Sequence, residues 1–204
     1  MTREGIGPDG EPRRAPVAVL LAGPNGAGKS TSSPSLVPAE CAFLNADVIA
    51  HELLVAGHPL AGVDVAAGRA VLTEMGCLVA AGRSFCLETN LAGRGLARSV
   101  SSWQAAGYRV RLHFIALRSP ELALARLAER VAAGGHNVPE DVVRRRWKAG
   151  LQALFAVYVP LVDRWSLMDN SEGAAVVVAR GEQGNLEVVD SARWMEFRRI
   201  AEVK

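Results

Sequence analysis

Short apolar runs alternate with longer amphipathic stretches along most of the chain. The runs have the length and the residue content of strands, whereas the stretches between them carry a helical period. The predicted strands are Val17–Ala22, Cys41–Asn45, Ser84–Glu88, Tyr108–Leu117 and Trp165–Met168. The predicted helices are Lys29–Leu36, Val48–Ala56, Gly62–Ala81, Leu96–Ala106, Pro120–Ala132 and Pro139–Leu154. This alternation predicts an α/β fold, a parallel sheet with helices on both faces.

The pattern changes in the last part of the chain. Residues 173–190 contain two strand-like runs, AAVVVAR and LEVVD, separated by the turn-forming residues GEQGN. This arrangement predicts a β-hairpin that extends the sheet, followed by a short helix near Ala192–Ile200. At the other end, Gly, Pro and charged residues predict a flexible leader over residues 1–16. Residues 17–204 are then expected to form a single domain.

Composition changes this picture little. The 204 residues are 50% hydrophobic and 22% charged, and the formal net charge is +2. Such a balanced charge gives no reason to expect a nucleic acid or an anionic membrane as a partner. The three cysteines lack metal-type spacing, and the N-terminal segment lacks the apolar core of a secretory signal, so we expect a cytoplasmic protein.

Residues 23–31, which directly follow the first predicted strand, contain the P-loop spacing G-x-x-x-x-G-K-[ST]. The predicted nucleotide-binding residues are Gly23, Pro24, Asn25, Gly26, Ala27, Gly28, Lys29, Ser30 and Thr31. The main-chain amides of such a loop turn onto phosphate oxygens at the start of a helix. Lys29 is expected to reach the β- and γ-phosphates, and the Ser30 hydroxyl to bind Mg²⁺. The motif thus predicts a nucleoside triphosphate with Mg²⁺.

Two polar residues end the second predicted strand. Asp47 lies where strand ends meet the ligand crevice of a parallel sheet, and its carboxylate there could take a proton from an attacking hydroxyl. The alternative is that Asp47 caps the following helix, since Asp is a favoured N-cap residue. Asn45 carries the same ambiguity between a substrate contact and a cap.

The third predicted strand ends in Glu88, which is followed by Thr89 and Asn90. An acid at the end of an apolar strand is typical of a Walker B element that holds Mg²⁺, directly or through water. Glu88 and Thr89 could instead contact the substrate. The third interpretation is a polar strand end with capping residues.

A Gly-rich break separates Arg130 from three consecutive arginines in the next predicted helix. Arginines suit phosphoryl transfer because they neutralise charge on the transferred group, and a mobile segment could close them over the phosphates. At 100° per residue, Arg145 points away from the apolar side of that helix, whereas Arg144 and Arg146 flank it. We expect a lid over about residues 130–146 with Arg130 and Arg144 as catalytic residues. Arg146 remains an alternative to Arg144, and a solvated basic surface is the alternative for the cluster.

Two further sites are open to more than one interpretation. His136 lies within the Gly-rich break, where a contact to substrate or backbone is favoured over proton transfer. Asp169-Asn170-Ser171 ends the fifth predicted strand. This segment either contacts the nucleotide base or forms a turn held by Asx-type hydrogen bonds.

Five sequence blocks together resemble the zeta-toxin family of P-loop kinases, and in particular its compact bacterial branch of predicted ATPases. The blocks are GPNGAGKST, FLNAD, ETN followed by LAGRG, RVAAGGHNVPEDVVRRRW, and MDNS, spread from Val17 to Ser171. The resemblance implies a P-loop kinase fold that uses ATP and Mg²⁺. It implies phosphorylation of the sugar 3′-hydroxyl of UDP-N-acetylglucosamine and a small antitoxin protein as partner.

The resemblance also implies roles for single residues. The catalytic base of the family matches Asp47, its substrate-side acid matches Glu88, and its P-loop lysine matches Lys29. Its two lid arginines match Arg130 and Arg144.

Two other functions stay open at this point. One is a different P-loop small-molecule kinase, acting on a nucleoside or an antibiotic. The other is a nucleotide-switched ATPase that works by conformational change without phosphoryl transfer. The sequence contains neither an LSGGQ-like transporter signature nor an NKxD-like guanine reader.

Overall fold

The computed structural model describes residues 15–133, 138–182 and 184–202. The predicted leader, residues 1–16, therefore lies almost wholly outside the described residues. The strands are β1 Val17–Ala22, β2 Ala42–Leu44, β3 Phe85–Thr89, β4 Arg109–Ala116, β5 Arg164–Asp169, β6 Val176–Glu182 and β7 Asn185–Val188. The helices are α1 Lys29–Leu36, α2 Ala46–Val55, α3 Val63–Ala80, α4 Ala97–Ala105, α5 Pro120–Ala132, α6 Glu140–Ala153 and α7 Ser191–Glu202. A π-helical turn, Leu154–Tyr158, continues α6.

The seven strands of the described residues form one sheet in the order β2-β3-β1-β4-β5-β6-β7. β1 lies at the centre of the parallel part and pairs with β3 and β4, while β2 and β5 add outside these strands. β6 and β7 are antiparallel and extend the sheet beyond β5. The predicted α/β class and the predicted hairpin extension are both confirmed.

The sheet separates two apolar cores, because side chains of successive strand residues point to opposite faces. On one face, Leu20 of β1 and Phe114 of β4 pack with buried residues of α3, α4, α6 and α7. On the other face, Leu21 and Ile115 pack with Leu127 of α5 and with a residue of α6. Strands buried on both faces explain the nearly continuous apolar runs that predicted them.

α1 is a short helix that contains a proline. Pro34 has no backbone N–H, so the carbonyl of Ser30 cannot accept the usual bond from four residues further on. The Ser33 hydroxyl donates to that carbonyl instead, at 2.9 Å. α1 thus keeps its first turn satisfied, and this turn carries the end of the P-loop.

α2 begins at Ala46, two residues earlier than the sequence pattern predicts. Asn45 is its N-cap, and the Asn45 side-chain oxygen accepts hydrogen bonds from the amides of Asp47 and Val48. The interpretation of Asp47 as the cap is therefore wrong. In the described part of the chain, no helix has both the length and the apolar character needed to cross a bilayer.

Candidate active site

The P-loop lies between the carboxyl end of β1 and the start of α1, as its motif predicts. Gly23 has a φ of 142°, and a Cβ built there would lie 2.1 Å from the Ile115 carbonyl oxygen. Gly28 has a φ of 82° and is the N-cap of α1. Only glycine fits both positions, since left-handed backbone and close contact each exclude a side chain.

Lys29 is buried beneath this loop. Its ammonium group donates to the carbonyl oxygens of Gly23 and Pro24, at 2.9 and 3.0 Å, and lies 3.9 Å from Glu88 Oε1. Burial lowers the pKa of Lys29 to about 8, while the negative charges of Glu88 and Asp47 act in the opposite direction. The ammonium group is therefore held in place for a multiply charged phosphate ligand.

Glu88 connects three elements at the carboxyl ends of the strands. Its Oε2 atom accepts hydrogen bonds from the Ser30 hydroxyl and from the Asn45 side-chain amide, each at 3.0 Å. One carboxylate thereby contacts the first turn of α1, the cap of α2 and, through Oε1, the ammonium group of Lys29. Glu88 is thus a central contact of the cavity floor and more than a polar strand end.

Asn45 uses both ends of its side-chain amide. The oxygen caps α2, with Asp47 N at 2.8 Å, and the nitrogen donates to Glu88. Because Asn45 closes the helix, the carboxylate of Asp47 is not needed for capping. Asp47 is exposed and lines the same cavity as the P-loop.

The start of α5 packs directly against the P-loop. A Cβ on Gly26 would lie 2.9 Å from the Ala123 carbonyl oxygen and 3.2 Å from Arg126 Cβ. Arg126 and Arg130 both line the cavity from this helix. Arg126 is absent from the predicted site, although its spacing of four residues from Arg130 places both on one side of a helix.

The structure does not bring Arg144 to the cavity. Its guanidinium group pairs with Glu121 at 2.6 Å and with Glu140 at 2.8 Å, and 42% of the side chain is exposed. Arg145 is exposed, in agreement with its predicted direction. Arg146 is partly buried, and its charge lowers the pKa of Lys29, as does that of Arg130. Two carboxylates hold Arg144 outside the cavity lining, which also lacks Arg146, so the choice between the two as the lid arginine stays a prediction.

A fixed loop follows β3 and forms another wall of the cavity. The Thr89 hydroxyl oxygen accepts from Leu91 N at 3.1 Å, and buried Leu91 has a left-handed φ of 51°. The hydroxyl of Tyr158, in the π-helical turn, donates to the Gly93 carbonyl at 2.9 Å. Thr89 and Asn90 line the cavity at this loop. Strained backbone and π-helical turns both concentrate at functional sites.

The segment at the end of β5 forms the Asx-type turn, one of the two interpretations left open by the sequence, whereas the contact to a nucleotide base stays a prediction. The Asp169 carboxylate accepts from Ser171 N at 2.9 Å, which is an Asx-type turn. Asn170 lines the cavity and donates to the Ala27 carbonyl of the P-loop. Its contact is thus with the loop itself. His136, the remaining predicted site residue, lies outside the described residues.

Together these elements enclose a cavity of about 650 Å³. It brings together Lys29, Ser30, Asp47, Glu88 and Arg130 from the predicted site. Sequence reasoning missed Arg126 and Glu129 as cavity residues, noted Asn90 only as a polar neighbour of Glu88, and gave Asn170 as one of two interpretations. The cavity combines a phosphate-binding loop, cationic side chains and a carboxylate that is not used structurally, which is the composition expected of a phosphoryl-transfer site.

A protein-family model described as an AAA domain, AAA_33, matches residues 19–157, more than half of the chain. The chain belongs to the AAA_33 family. An uncharacterized protein of Haemophilus influenzae is 30% identical over 130 residues, which cover 64% of this chain and 91% of that protein. The matched residues of this chain include the P-loop, Asp47, Glu88 and the arginines of α5 and α6.

Solved structures share the fold of this AAA_33 member. The AvrRxo1-ORF1:-ORF2 complex with ATP contains a similar chain, with a TM-score of 0.75, 20% identity, and coverage of 93% of this chain and 65% of that one. The PezAT chromosomal toxin–antitoxin system of Streptococcus pneumoniae contains another, with a TM-score of 0.64, 18% identity and coverage of 93% and 86%. This chain thus spans less than two thirds of the AvrRxo1-ORF1:-ORF2 neighbour, and the similarity shows a P-loop kinase-like fold.

Proposed function

We propose that this protein is an ATP-dependent kinase that transfers the γ-phosphate to a hydroxyl group of a small molecule. The observation that carries the proposal is the position of Asp47. Its carboxylate lines the same cavity as the P-loop, and Asn45 has taken over the capping role that would otherwise occupy it. A carboxylate at this place suits removal of the proton from an acceptor hydroxyl.

The P-loop and Lys29 would hold the triphosphate. The buried ammonium group already lies among carbonyl and carboxylate oxygens, so a phosphate oxygen would meet a positioned cation. Support for ATP as the nucleotide comes from the fold neighbour that was solved with ATP.

Mg²⁺ is the expected metal, and the residues present fit it. The Ser30 hydroxyl and the Glu88 carboxylate are oxygen donors 3.0 Å apart, beside the P-loop. Among the described residues, no group of three or more His, Cys, Asp and Glu side chains could hold a metal by itself. This suits Mg²⁺, which commonly takes one or two protein ligands together with phosphate oxygens and water. When bound, Mg²⁺ would neutralise charge on the phosphates.

The chemical step would use residues on two sides of the cavity. As the acceptor oxygen bonds to the γ-phosphorus, its proton would pass to the Asp47 carboxylate, and the bond from phosphorus to the ADP oxygen would break. Arg126, Arg130 and Arg146 would neutralise the charge that spreads over the transferred group. Arg144, the lid arginine expected from the sequence, would take part only after leaving Glu121 and Glu140.

We propose UDP-N-acetylglucosamine as the first acceptor to test, on the resemblance to zeta toxins. The fold shared with the PezAT chain is compatible with this choice. Thr89 and Asn90 of the loop after β3 supply polar groups to the cavity that Asp47 also lines. Hydroxyl and amide groups of this kind suit a sugar hydroxyl.

Replacement of Asp47 by Asn tests the reaction type. Asp47→Asn removes the base but keeps the size of the side chain, so phosphoryl transfer should fall about 10²–10⁴-fold. The affinity for ATP should change little, because the P-loop is untouched. Asp64→Asn is the matched control, since Asp64 occupies the second position of α3 as Asp47 does of α2, and it lies outside the cavity lining.

The acceptor is tested by incubating the protein with labelled ATP and UDP-N-acetylglucosamine, with a nucleoside pool and with a metabolite extract. Label on the sugar nucleotide supports the specific proposal. Label only on another hydroxyl compound supports the alternative function, a different P-loop small-molecule kinase. Release of inorganic phosphate, with no labelled product in any pool, would show a nucleotide-switched ATPase and refute the kinase proposal.

A small antitoxin-like protein is the proposed partner. Support comes from the two fold neighbours, which belong to a two-component complex and to a toxin–antitoxin system. Co-expression with the product of an adjacent small gene, followed by size-exclusion chromatography, tests it. Separate elution of the two proteins at micromolar concentration would argue against the pairing.

A further inference from the structure

The end of β5 is in direct contact with the P-loop. Asn170 is 9% exposed, and its side-chain amide donates to the Ala27 carbonyl at 2.9 Å. The contact is close, since a Cβ on Gly28 would lie 2.6 Å from the same nitrogen. Asn170 lies beyond residue 157, the last residue of this chain that the AAA_33 family model matches.

This contact determines which way a P-loop amide faces. The C=O of Ala27 and the N–H of Gly28 belong to one planar trans peptide and point in opposite directions. Because Asn170 binds the carbonyl on one side, the Gly28 N–H is directed to the other. P-loop amides bind phosphate through such N–H groups, so Asn170 orients one element of the phosphate cradle.

The turn that carries Asn170 is held by the neighbouring residue Asp169. The Asp169 side chain is 1% exposed and accepts from the backbone amide of Ser171 at 2.9 Å. Its other oxygen lies 3.1 Å from Arg118 Nε and 3.3 Å from Arg193 Nε. A buried carboxylate needs charged partners of this kind, and these two arginines, which follow β4 and begin α7, supply them as ion pairs.

Arg193 belongs to the first turn of α7. Its backbone amide donates to the Asp190 carboxylate at 3.0 Å, which caps the helix. Its guanidinium group also pairs with Asp190 at 3.4 Å and with Glu172 at 3.2 Å. The start of α7 is therefore fastened to the end of β5 by charged contacts.

We propose that Arg193 is a positioning residue for the P-loop, acting through Asp169 and Asn170, so that α7 is part of the nucleotide site. The inference rests on the proposed function, because it assumes that the P-loop binds a nucleotide. It adds that phosphate binding depends on a helix that contributes no residue to the cavity lining.

A double-mutant cycle tests this chain of contacts, with ATP affinity measured by isothermal titration on the full-length protein. Asn170→Ala removes the hydrogen bond to the Ala27 carbonyl. Arg193→Met removes one of the two arginines that pair with Asp169. Each should weaken ATP binding about three- to tenfold, the range of one lost hydrogen bond. Arg118 still pairs with Asp169 in the Arg193→Met variant, so the protein should remain folded.

The combination separates positioning from general destabilisation. If Arg193 acts through Asn170, the double variant should bind ATP no more weakly than Asn170→Ala alone. Arg198→Met is the control, because Arg198 lies on the same helix, pairs with Glu202 and packs over Phe155. It should leave ATP affinity unchanged even where it lowers the unfolding temperature.

Three results would overturn the inference while leaving the proposed function intact. These are normal ATP affinity in Arg193→Met, losses that multiply in the double variant, and an equal loss in Arg198→Met. A wild-type protein that binds no ATP would instead refute the proposed function itself.

Discussion

A partly buried histidine in the sheet should make the stability of this protein depend on pH. His113 lies on β4, and its Nδ1 atom is 2.8 Å from the hydroxyl of Ser166 on the neighbouring strand β5. Burial, with smaller effects from the positive charges of Arg111 and Arg164, lowers the pKa of His113 from 6.5 to about 4. The imidazole is therefore neutral in the folded protein at pH values where it is charged in the unfolded chain.

The sign and size of the effect follow from this difference. Between pH 6.5 and pH 4 the unfolded chain binds a proton that the folded protein does not, so the free energy of unfolding falls as pH is lowered. Above pH 6.5 the effect vanishes. With 1.36 kcal/mol for each pKa unit, the loss attributable to His113 is about 2 kcal/mol at pH 5 and about 3.4 kcal/mol well below pH 4.

Denaturant unfolding at pH 8 and pH 5, at constant ionic strength, measures this loss. His113→Gln removes the titrating group and keeps an amide that can bond to Ser166. The variant should lose about 2 kcal/mol less than the wild-type protein between the two pH values. His51→Gln, a change at an exposed position of α2, should behave like the wild type. If His113→Gln and wild type lose the same amount, His113 is not held neutral and the reasoning fails.

Two other predictions concern the site. Arg146→Ala should lower the rate of phosphoryl transfer by about 100-fold or more. Arg144→Ala should change that rate less than about threefold, because surface ion pairs contribute little. Steady-state kinetics measure both rates, and the opposite order would identify Arg144 as the lid residue. Gly23→Ala should lower the free energy of unfolding by about 2–5 kcal/mol, since the new methyl group would meet the Ile115 carbonyl. Gly57→Ala, at a positive φ of 88° with open space around it, isolates the backbone strain and should cost about 1 kcal/mol in the same unfolding assay.

The sequence pattern predicted most of the architecture because the central strands β1, β3 and β4 are buried on both faces and most of the connections in the parallel part have a helical period. It placed the start of α2 two residues late, since apolar periodicity begins at Val48 whereas the helix begins where Asn45 caps it. Capping is a local hydrogen bond that does not appear in the hydrophobic pattern. Because Asn45 is the cap, the Asp47 carboxylate does not cap the helix, and the alternative interpretation of Asp47 is ruled out.

The cavity lining was predictable where a motif or a strand end marks its residues, as with Lys29 of the P-loop, Asp47 just beyond β2 and Glu88 near the end of β3. The position of Arg144 was not predictable, because a helical wheel gives its direction but not the Glu121 carboxylate on α5 with which it pairs. Arg126 had a usable signal in its spacing from Arg130. Asn170 had a signal in its place at the end of a predicted strand, but no local pattern tells which distant carbonyl its amide will meet.

The hydrogen bond from Asn170 to Ala27 joins residues 143 positions apart in the sequence. Contacts of such separation form late in folding, because the closure of a long loop must be paid for before the contact stabilises anything. During synthesis, β1 and the P-loop sequence emerge long before β5 and α7 exist. The phosphate cradle can therefore reach its final shape only after the end of the sheet has docked, so nucleotide binding would report the last stage of folding.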